Sequence, residues 1–220
     1  MLTNKWIVPR RSFLAAFAGV LSAQTETQKP GAALSERTVL RIAEAVQKNI
    51  MQLPNYGLFD DIRFGIKGYT VILKGYASRP TLKESAERVV KNIEGVESVT
   101  NQIEVLPLSR ADDDVRVRTY IALYGHPTLS RYNPNRGSPI FRSQASQMMG
   151  ITTDPPPGYH PIHIIVKNGN ITLEGVVDNL TDRTIAEMQS NSVPGGFQVT
   201  NNLLIPQNGE AKPATTSQKK

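Results

Sequence analysis

The spacing of hydrophobic and polar residues switches along the chain between the period of a helix and that of a strand. Between residues 35 and 51 the apolar side chains recur at the spacing of an amphipathic helix; they are Val39, Ile42, Ala43, Val46 and Ile50. Residues 62–66 and 71–73 alternate instead, which predicts two half-buried strands joined at Lys67 and Gly68. Helical spacing returns at 81–93 and alternation at 99–105. The predicted order is helix, strand, strand, helix, strand.

The same order recurs 100 residues further along. "VTNQIEVLP" at 99–107 is followed by "VTNNLLIP" at 199–206. Identical residues at this offset begin with Ile62 and Ile162 and continue through Leu73 and Leu173. In the second copy we expect helices at about 113–124 and 181–191 and strands at 162–167, 171–174 and 199–205. The sequence therefore predicts an α+β protein of two tandem αββαβ modules, each a three-stranded mixed sheet covered on one face by two helices.

The repeat also sets the predicted boundaries. Module 1 covers residues 34–107 and module 2 covers residues 108–206, with an insertion at about 133–161. Residues 24–33 are predicted to be a disordered linker and 207–220 a disordered tail. The insertion is rich in proline and glycine but contains a short helical pattern, so two interpretations stay open. It either covers the sheet of its own module or contacts a partner or lipid.

Several repeated polar and glycine positions predict local structure. Thr81 and Glu84 have the spacing of a helix-starting capping box. Gly75 and Gly175 lie between a strand and a helix without the further glycines or lysine of a phosphate-binding loop, so we expect tight turns there.

Two further repeated positions follow the second helix of each module. Gly95 and Gly195 lie where a helix C-cap favours a left-handed residue. Asn101 and Asn201 share the inward face of the last strand, so we expect structural amides that bind backbone groups.

These residues resemble one known family. "VILKGYA" or "ITLEGVV", then a helix, then Gly-Val-Glu-Ser-Val-Thr-Asn at 95–101, is similar to the BON domain, an envelope module of osmotically induced periplasmic proteins. The motif contains no catalytic group. The resemblance implies an exported, non-enzymatic protein that attaches to phospholipid surfaces.

The first 23 residues have the layout of an export signal. Basic residues precede an apolar stretch at 13–21, and small residues end with Ala23, near which we expect cleavage. The nine-residue apolar stretch is shorter than the roughly 20 residues that span a bilayer. Both the secretory and the twin-arginine routes stay open, and a buried helix is the alternative. We expect a periplasmic or otherwise extracytoplasmic protein.

Charge and cysteine content narrow the classes of partner. The formal net charge is +6, but module 1 has ten basic and nine acidic residues and module 2 has eight of each. A nucleic-acid binder concentrates a basic surface on its folded part, so we expect no nucleic-acid partner. The chain has no cysteine and therefore neither disulfides nor a lipid on a cysteine. We expect peripheral membrane contact, not an integral membrane protein.

The chain offers little for catalysis. His126, His160 and His163 lack metal-binding spacing, and strand alternation would turn the last two to opposite faces. The acidic run at 112–114 is predicted to cap a helix and to complement its dipole. We expect no catalytic residues, no metal and no cofactor.

The predicted contact surface lies on module 2. Its basic, aromatic and methionine side chains suit a membrane or protein interface; they are Arg116, Arg118, Tyr120 and Tyr124 on the first helix and Phe141, Arg142, Met148 and Met149 in the insertion. The partner is an anionic phospholipid surface or, alternatively, an envelope protein. Binding of a small ligand or ion is a third possibility.

Overall fold

The computed structural model describes residues 35–134, 160–207 and 210–212. Module 1 contains α1 (Glu36–Met51), β1 (Asp61–Lys67), β2 (Thr70–Ala77), α2 (Pro80–Lys91) and β3 (Ser98–Val105). Module 2 repeats this order with α3 (Arg110–Tyr124), β4 (Ile162–Lys167), β5 (Asn170–Gly175), α4 (Leu180–Asn191) and β6 (Gln198–Asn201). The predicted tandem αββαβ architecture is confirmed.

Each module has one mixed sheet with the second strand in the middle. In module 1, β1 pairs antiparallel with β2, and β3 pairs parallel with β2. In module 2, β4, β5 and β6 have the same arrangement. Both hairpins turn with positive φ, at Gly68 in module 1 and at Asn168 and Gly169 in module 2. The turn predicted at Lys67 and Gly68 is confirmed.

The two helices of each module cover one face of its sheet and enclose its core. In module 1 the core combines the apolar stripes of α1 and α2 with the inward side chains of the strands, among them Ile62, Phe64 and Leu73. In module 2, α3 and α4 cover Ile162, Ile164 and Leu173 in the same way. Large-to-small changes in such cores cost about 2–5 kcal/mol each.

The helix starts differ from the predicted ones. α2 begins at Pro80 after Arg79, and no side chain caps it, so the predicted capping box of Thr81 and Glu84 is wrong. Proline at the first position explains this, because it fixes a helical φ and has no N–H that needs a partner. α3 is capped by Ser109, whose hydroxyl accepts a hydrogen bond from Asp112 N at 3.2 Å. The acidic run at 112–114 therefore does not provide the cap, but Asp112 and Asp113 lie in the first turn, where acidic side chains complement the helix dipole.

Asp112 instead connects α3 to the β4–β5 turn through hydrogen bonds. Its carboxylate is buried and accepts hydrogen bonds from Asn168 N at 2.9 Å and from Gly169 N at 2.7 Å. The start of α3 and the hairpin turn consequently lie at the same end of module 2.

Gly75 and Gly175 are not in tight turns, so that prediction is wrong. Both lie within the middle strand, with φ of 116° and 123°. A Cβ at Gly75 would lie 2.0 Å from Asp61 O, and one at Gly175 would lie 2.0 Å from Pro161 O. These glycines are required because the neighbouring strand approaches too closely for any side chain.

Gly95 and Gly195 have the expected positive φ, 91° in both, but they are not helix caps. α2 ends at its C-cap Asn92, and Gly95 lies in the loop before β3. A Cβ at Gly95 would lie 3.2 Å from Ile42 Cδ1, and one at Gly195 would lie 3.2 Å from Val115 Cγ2. These glycines therefore let the loop pass close over the first helix of each module.

The end of module 2 also differs from the prediction. β6 stops at Asn201, and Leu204 forms an isolated bridge with Val176. The chain continues as β7 (Ile205–Gln207), which pairs antiparallel with β8 (Glu210–Lys212). The tail predicted to be disordered from residue 207 therefore contains a short strand.

The loop between α1 and β1 packs module 1 against module 2. Leu58 and Phe59, both 1% exposed, belong to the apolar core of module 2. Ile164 N of β4 donates a hydrogen bond to Leu58 O at 2.9 Å. The two modules thus share core residues and backbone hydrogen bonding.

Candidate functional site

Three of the predicted contact residues are buried. Arg116 is 2% exposed, and Tyr120 and Tyr124 are 0% exposed. The prediction placed them on a surface because basic and aromatic side chains suit a membrane or protein interface. Instead α3 buries a second stripe at positions 116, 120 and 124, turned toward the edge of the sheet. Their side chains are not available to a membrane or a partner in this structure.

These buried residues close the free edge of β4. Tyr124 Oη donates to Ile162 O at 2.7 Å and accepts from Ile162 N at 3.1 Å. Arg116 Nη2 donates to Val166 O at 2.7 Å, and Nη1 forms an ion pair with Asp113. An edge strand with unpaired backbone groups would invite pairing with another chain, and these side chains prevent it.

The opposite edge is closed by the repeated asparagines. Asn101 Oδ1 accepts a hydrogen bond from Ile103 N at 3.1 Å, and Asn101 Nδ2 donates to Lys83 O and to Glu87, each at 3.0 Å. Asn201 makes the equivalent bonds in module 2, to Leu203 N, Arg183 O and Glu187. The prediction of structural amides is confirmed. They join the last strand to the second helix of each module.

The other predicted contact residues divide into two groups. Arg118 is exposed, and its Nη1 donates to Pro194 O at 3.1 Å. Within residues 35–134 and 160–207 it forms no ion pair with a carboxylate. The insertion residues Phe141, Arg142, Met148 and Met149 lie outside the described residues.

Large exposed apolar side chains mark one end of module 2. We define the turn end of module 2 as Leu108 with the start of α3, the turn at Asn168 and Gly169, and the loop 192–197. Phe197 is 83% exposed and Leu108 is 92% exposed. Phe197 N donates to Gly169 O at 2.9 Å, and the Phe197 ring lies over Gly169, where a Cβ would approach it within 2.6 Å.

Basic groups accompany these apolar side chains. Arg110 is exposed in the first turn of α3, and exposed Arg118 reaches the loop 192–197. Of the acidic residues in the first turns of α3, Asp112 is buried against the hairpin turn and Asp113 is paired with Arg116. Asp114 is the exposed acid. The turn end of module 2 therefore combines an exposed aromatic ring with two arginines.

The equivalent end of module 1 has different chemistry. At the repeat offset Glu97 stands in place of Phe197, and Glu94 stands in place of Pro194. Glu94 pairs with Arg41 at 3.6 Å, beside a groove of about 400 Å³ between α1 and α2. The exposed aromatic ring in this loop is thus specific to module 2. The sequence comparison alone could have identified Phe197, because the signal is the replacement of a charged residue at a repeated exposed position.

The histidines lie apart from this end. His160 packs edge-on against Tyr124, with ring centroids 5.1 Å apart. His163 contacts Tyr56 of module 1, with ring centroids 5.7 Å apart. The two rings have different neighbours, but His160 precedes β4 (Ile162–Lys167), so strand alternation does not set the direction of its side chain. In the described part of the chain no group of three or more histidine or acidic side chains is arranged to hold a metal ion.

None of the helices in the described ranges combines the length and apolar character needed to cross a membrane.

Comparison with known proteins identifies the family. Two solved structures of CdsD, a structural protein of the type III secretion system of Chlamydia trachomatis, resemble the chain at 15% and 17% identity. They cover 74% of this chain and 96% and 90% of their own, with TM-scores of 0.24 and 0.25. No curated protein matches. The family model of the BON domain matches residues 40–107 and 151–207, one region in each module. The chain therefore belongs to the BON domain family, whose modules are associated with the cell envelope.

Proposed function

We propose that this protein is a non-enzymatic peripheral protein of the cell envelope that binds anionic phospholipid surfaces through the turn end of module 2. The proposal depends chiefly on one observation, the 83% exposed ring of Phe197 in the loop that Arg118 contacts at Pro194 O, where Arg118 has no carboxylate partner among the described residues. Family membership supports a phospholipid surface as the partner.

The chemistry of this end suits an interface between water and lipid. An exposed aromatic ring gains about 1.5–3 kcal/mol when it leaves water. Each arginine near an anionic surface contributes about 1 kcal/mol more. Phe197, Arg110 and Arg118 together would therefore give reversible attachment, as expected of a peripheral protein.

Localisation is part of the proposal. Residues 1–23 have the basic and apolar organisation of an export signal, which would place the mature chain outside the cytoplasm. N-terminal sequencing of protein from the envelope fraction tests this, with a start near Gln24 expected and an intact Met1 as the contrary result.

The alternative of assembly through sheet edges has less support. Tyr124, Arg116 and the Leu58 carbonyl occupy the edge of β4. Asn101 and Asn201 occupy the edges of β3 and β6. Addition of a partner strand to β3, β4 or β6 would have to displace these hydrogen bonds, whereas lipid docking at the turn end requires no rearrangement.

Phe197→Glu is expected to reduce binding to anionic vesicles at least tenfold. The substitution copies the residue of module 1, removes the apolar ring and adds a negative charge. Because Phe197 is mostly exposed, the thermal midpoint should change little. Co-sedimentation with phosphatidylglycerol vesicles, compared with phosphatidylcholine vesicles, measures the effect.

Leu180→Ser is the matched control for this substitution. Leu180 is 63% exposed, but it lies at the start of α4, and α4 ends at the loop 192–197. The control should bind vesicles as the native protein does. Equal binding by Phe197→Glu and the native protein, at unchanged thermal midpoint, would refute docking through the turn end.

A further inference from the structure

A cluster of buried ionisable side chains lies between the two modules. Asp61 and Arg63 project from β1 of module 1, and Glu174 projects from β5 of module 2. Arg63 Nε lies 2.9 Å from Asp61 Oδ2, and Arg63 Nη2 lies 3.5 Å from Glu174 Oε1. Asp61 is 2% exposed and Glu174 is 5% exposed. One arginine thus bridges a carboxylate from each module.

The groups around Asp61 and Glu174 add negative charge and little positive charge. Asp60 is buried, and its carboxylate accepts hydrogen bonds from Gly57 N at 3.0 Å and Ser78 N at 2.6 Å. His163 of β4, which stands beside Glu174 in the sheet, lies 3.2 Å from Gly57 O through Nδ1. Burial lowers the pKa of His163, which favours its neutral form.

Further charged groups lie on the same face: Lys74 stands opposite Arg63 in the β1–β2 pairing, and Glu104, opposite Tyr76 in the β2–β3 pairing, is paired with Lys167 of β4. Tyr76 stands opposite Asp61 in the β1–β2 pairing, and Asn202 Nδ2 donates to Glu174 Oε1 at 2.8 Å. The two buried carboxyl groups of Asp61 and Glu174 therefore share Arg63, while the nearby Lys74 is exposed to solvent. Moving two charged carboxylates from water into this interface costs free energy, because both are desolvated and they repel each other.

The pKa values of Asp61 and Glu174 are both raised in this environment. Burial, followed by the charge of Asp61, raises the pKa of Glu174 to about 7. Burial raises the pKa of Asp61 to about 6, although Arg63 opposes the shift. The pKa of Asp60 is raised as well, mainly by burial.

We propose that Asp61, Arg63 and Glu174 form a pH-sensitive coupling between the modules, which is tight when the carboxyl pair holds a proton and loosens when both carboxyls are ionised. The coupling is independent of lipid docking, because it lies between the modules and not at the turn end of module 2. It would let acidity of the surroundings control whether the modules move as one body.

The direction of the pH effect follows from proton linkage. A carboxyl whose pKa is raised by folding keeps its proton in the packed state after the separated state has lost it. For Glu174 the packed interface is therefore most stable near the ordinary carboxyl value of 4.5, and the stability falls as pH rises toward about 7. Above that range the loss is complete and no further change is expected from this group.

Glu174→Gln in the full chain tests the proposal. Glutamine keeps an acceptor for Asn202 but cannot ionise. We compare the thermal midpoints of the variant and the native protein. The difference, variant minus native, should increase by several degrees between about pH 5 and about pH 8. Glu84→Gln, at an exposed position on α2, is the matched control and should show no such trend.

A second measurement locates the effect at the interface. Hydrogen exchange of the Ile164 amide, which donates to Leu58 O across the modules, should be less protected at about pH 8 than at about pH 6 after correction for intrinsic exchange. Amides of β2 should not follow this change. A midpoint difference that is constant with pH, or Ile164 protection that is independent of pH in the native protein, would overturn the proposal.

Discussion

Gly175→Ala is expected to destabilise the protein by about 2–6 kcal/mol. The estimate adds about 1–3 kcal/mol for forcing extra volume into a packed site and about 1–3 kcal/mol for a strained backbone. Gly175 has φ of 123°, and its new Cβ would lie 2.0 Å from Pro161 O, a backbone atom that cannot swing aside. Gly75→Ala should behave alike because Asp61 O occupies the equivalent place at 2.0 Å. Urea unfolding measures both.

Gly68→Ala separates the two contributions. Gly68 also has positive φ, 58°, but a Cβ there would meet nothing within 4 Å. It should cost about 1–2 kcal/mol, from the backbone alone. If Gly175→Ala cost no more than Gly68→Ala, the close approach of the strands would not explain the repeated glycine.

Phe59→Ala is expected to destabilise module 2 although Phe59 belongs to module 1. Truncating a buried phenylalanine costs about 3–5 kcal/mol. Phe59 is 1% exposed and packs in the core that contains Tyr120, Leu129 and Ile164. Hydrogen exchange measured at peptide level should therefore show a loss of protection in α3, β4 and β5.

Leu53→Ala is the matched control for this substitution. Leu53 is buried in the core of module 1 with Ile50 and Phe64. Its truncation should reduce protection in α1 and β1 first. Loss of protection confined to module 1 in Phe59→Ala would mean that the modules do not share a core.

The sequence predicted the fold well because the fold depends on periodicity. Alternation at 62–66 and helical spacing at 81–93 are repeated at a constant offset, and each copy supports the interpretation of the other. The errors occur where a residue acts through a contact that is distant in sequence. Gly175 is required by Pro161 O, and Asp112 binds the turn at Asn168 and Gly169. No local pattern reports such contacts.

The candidate site was predicted less well, and for a physical reason. Tyr124 and Arg116 have both a polar tip and an apolar stem, so their composition suits a membrane surface and a strand edge equally. Only the arrangement of α3 beside β4 distinguishes the two roles. Phe197 was missed because the comparison of copies was used to find identities. Its difference from Glu97 was the informative signal.

The central claim, docking of module 2 on anionic lipid, is tested most directly by a matched pair of fluorescent labels. The chain contains no cysteine, so Gln198→Cys and Ser98→Cys each create a single attachment site beside Phe197 and Glu97. Both positions are exposed and equivalent in the repeat. With phosphatidylglycerol vesicles, an environment-sensitive dye at position 198 should shift its emission to the blue while the dye at position 98 does not. A shift at position 98 alone, or at neither position while the protein co-sediments with the vesicles, would contradict the account.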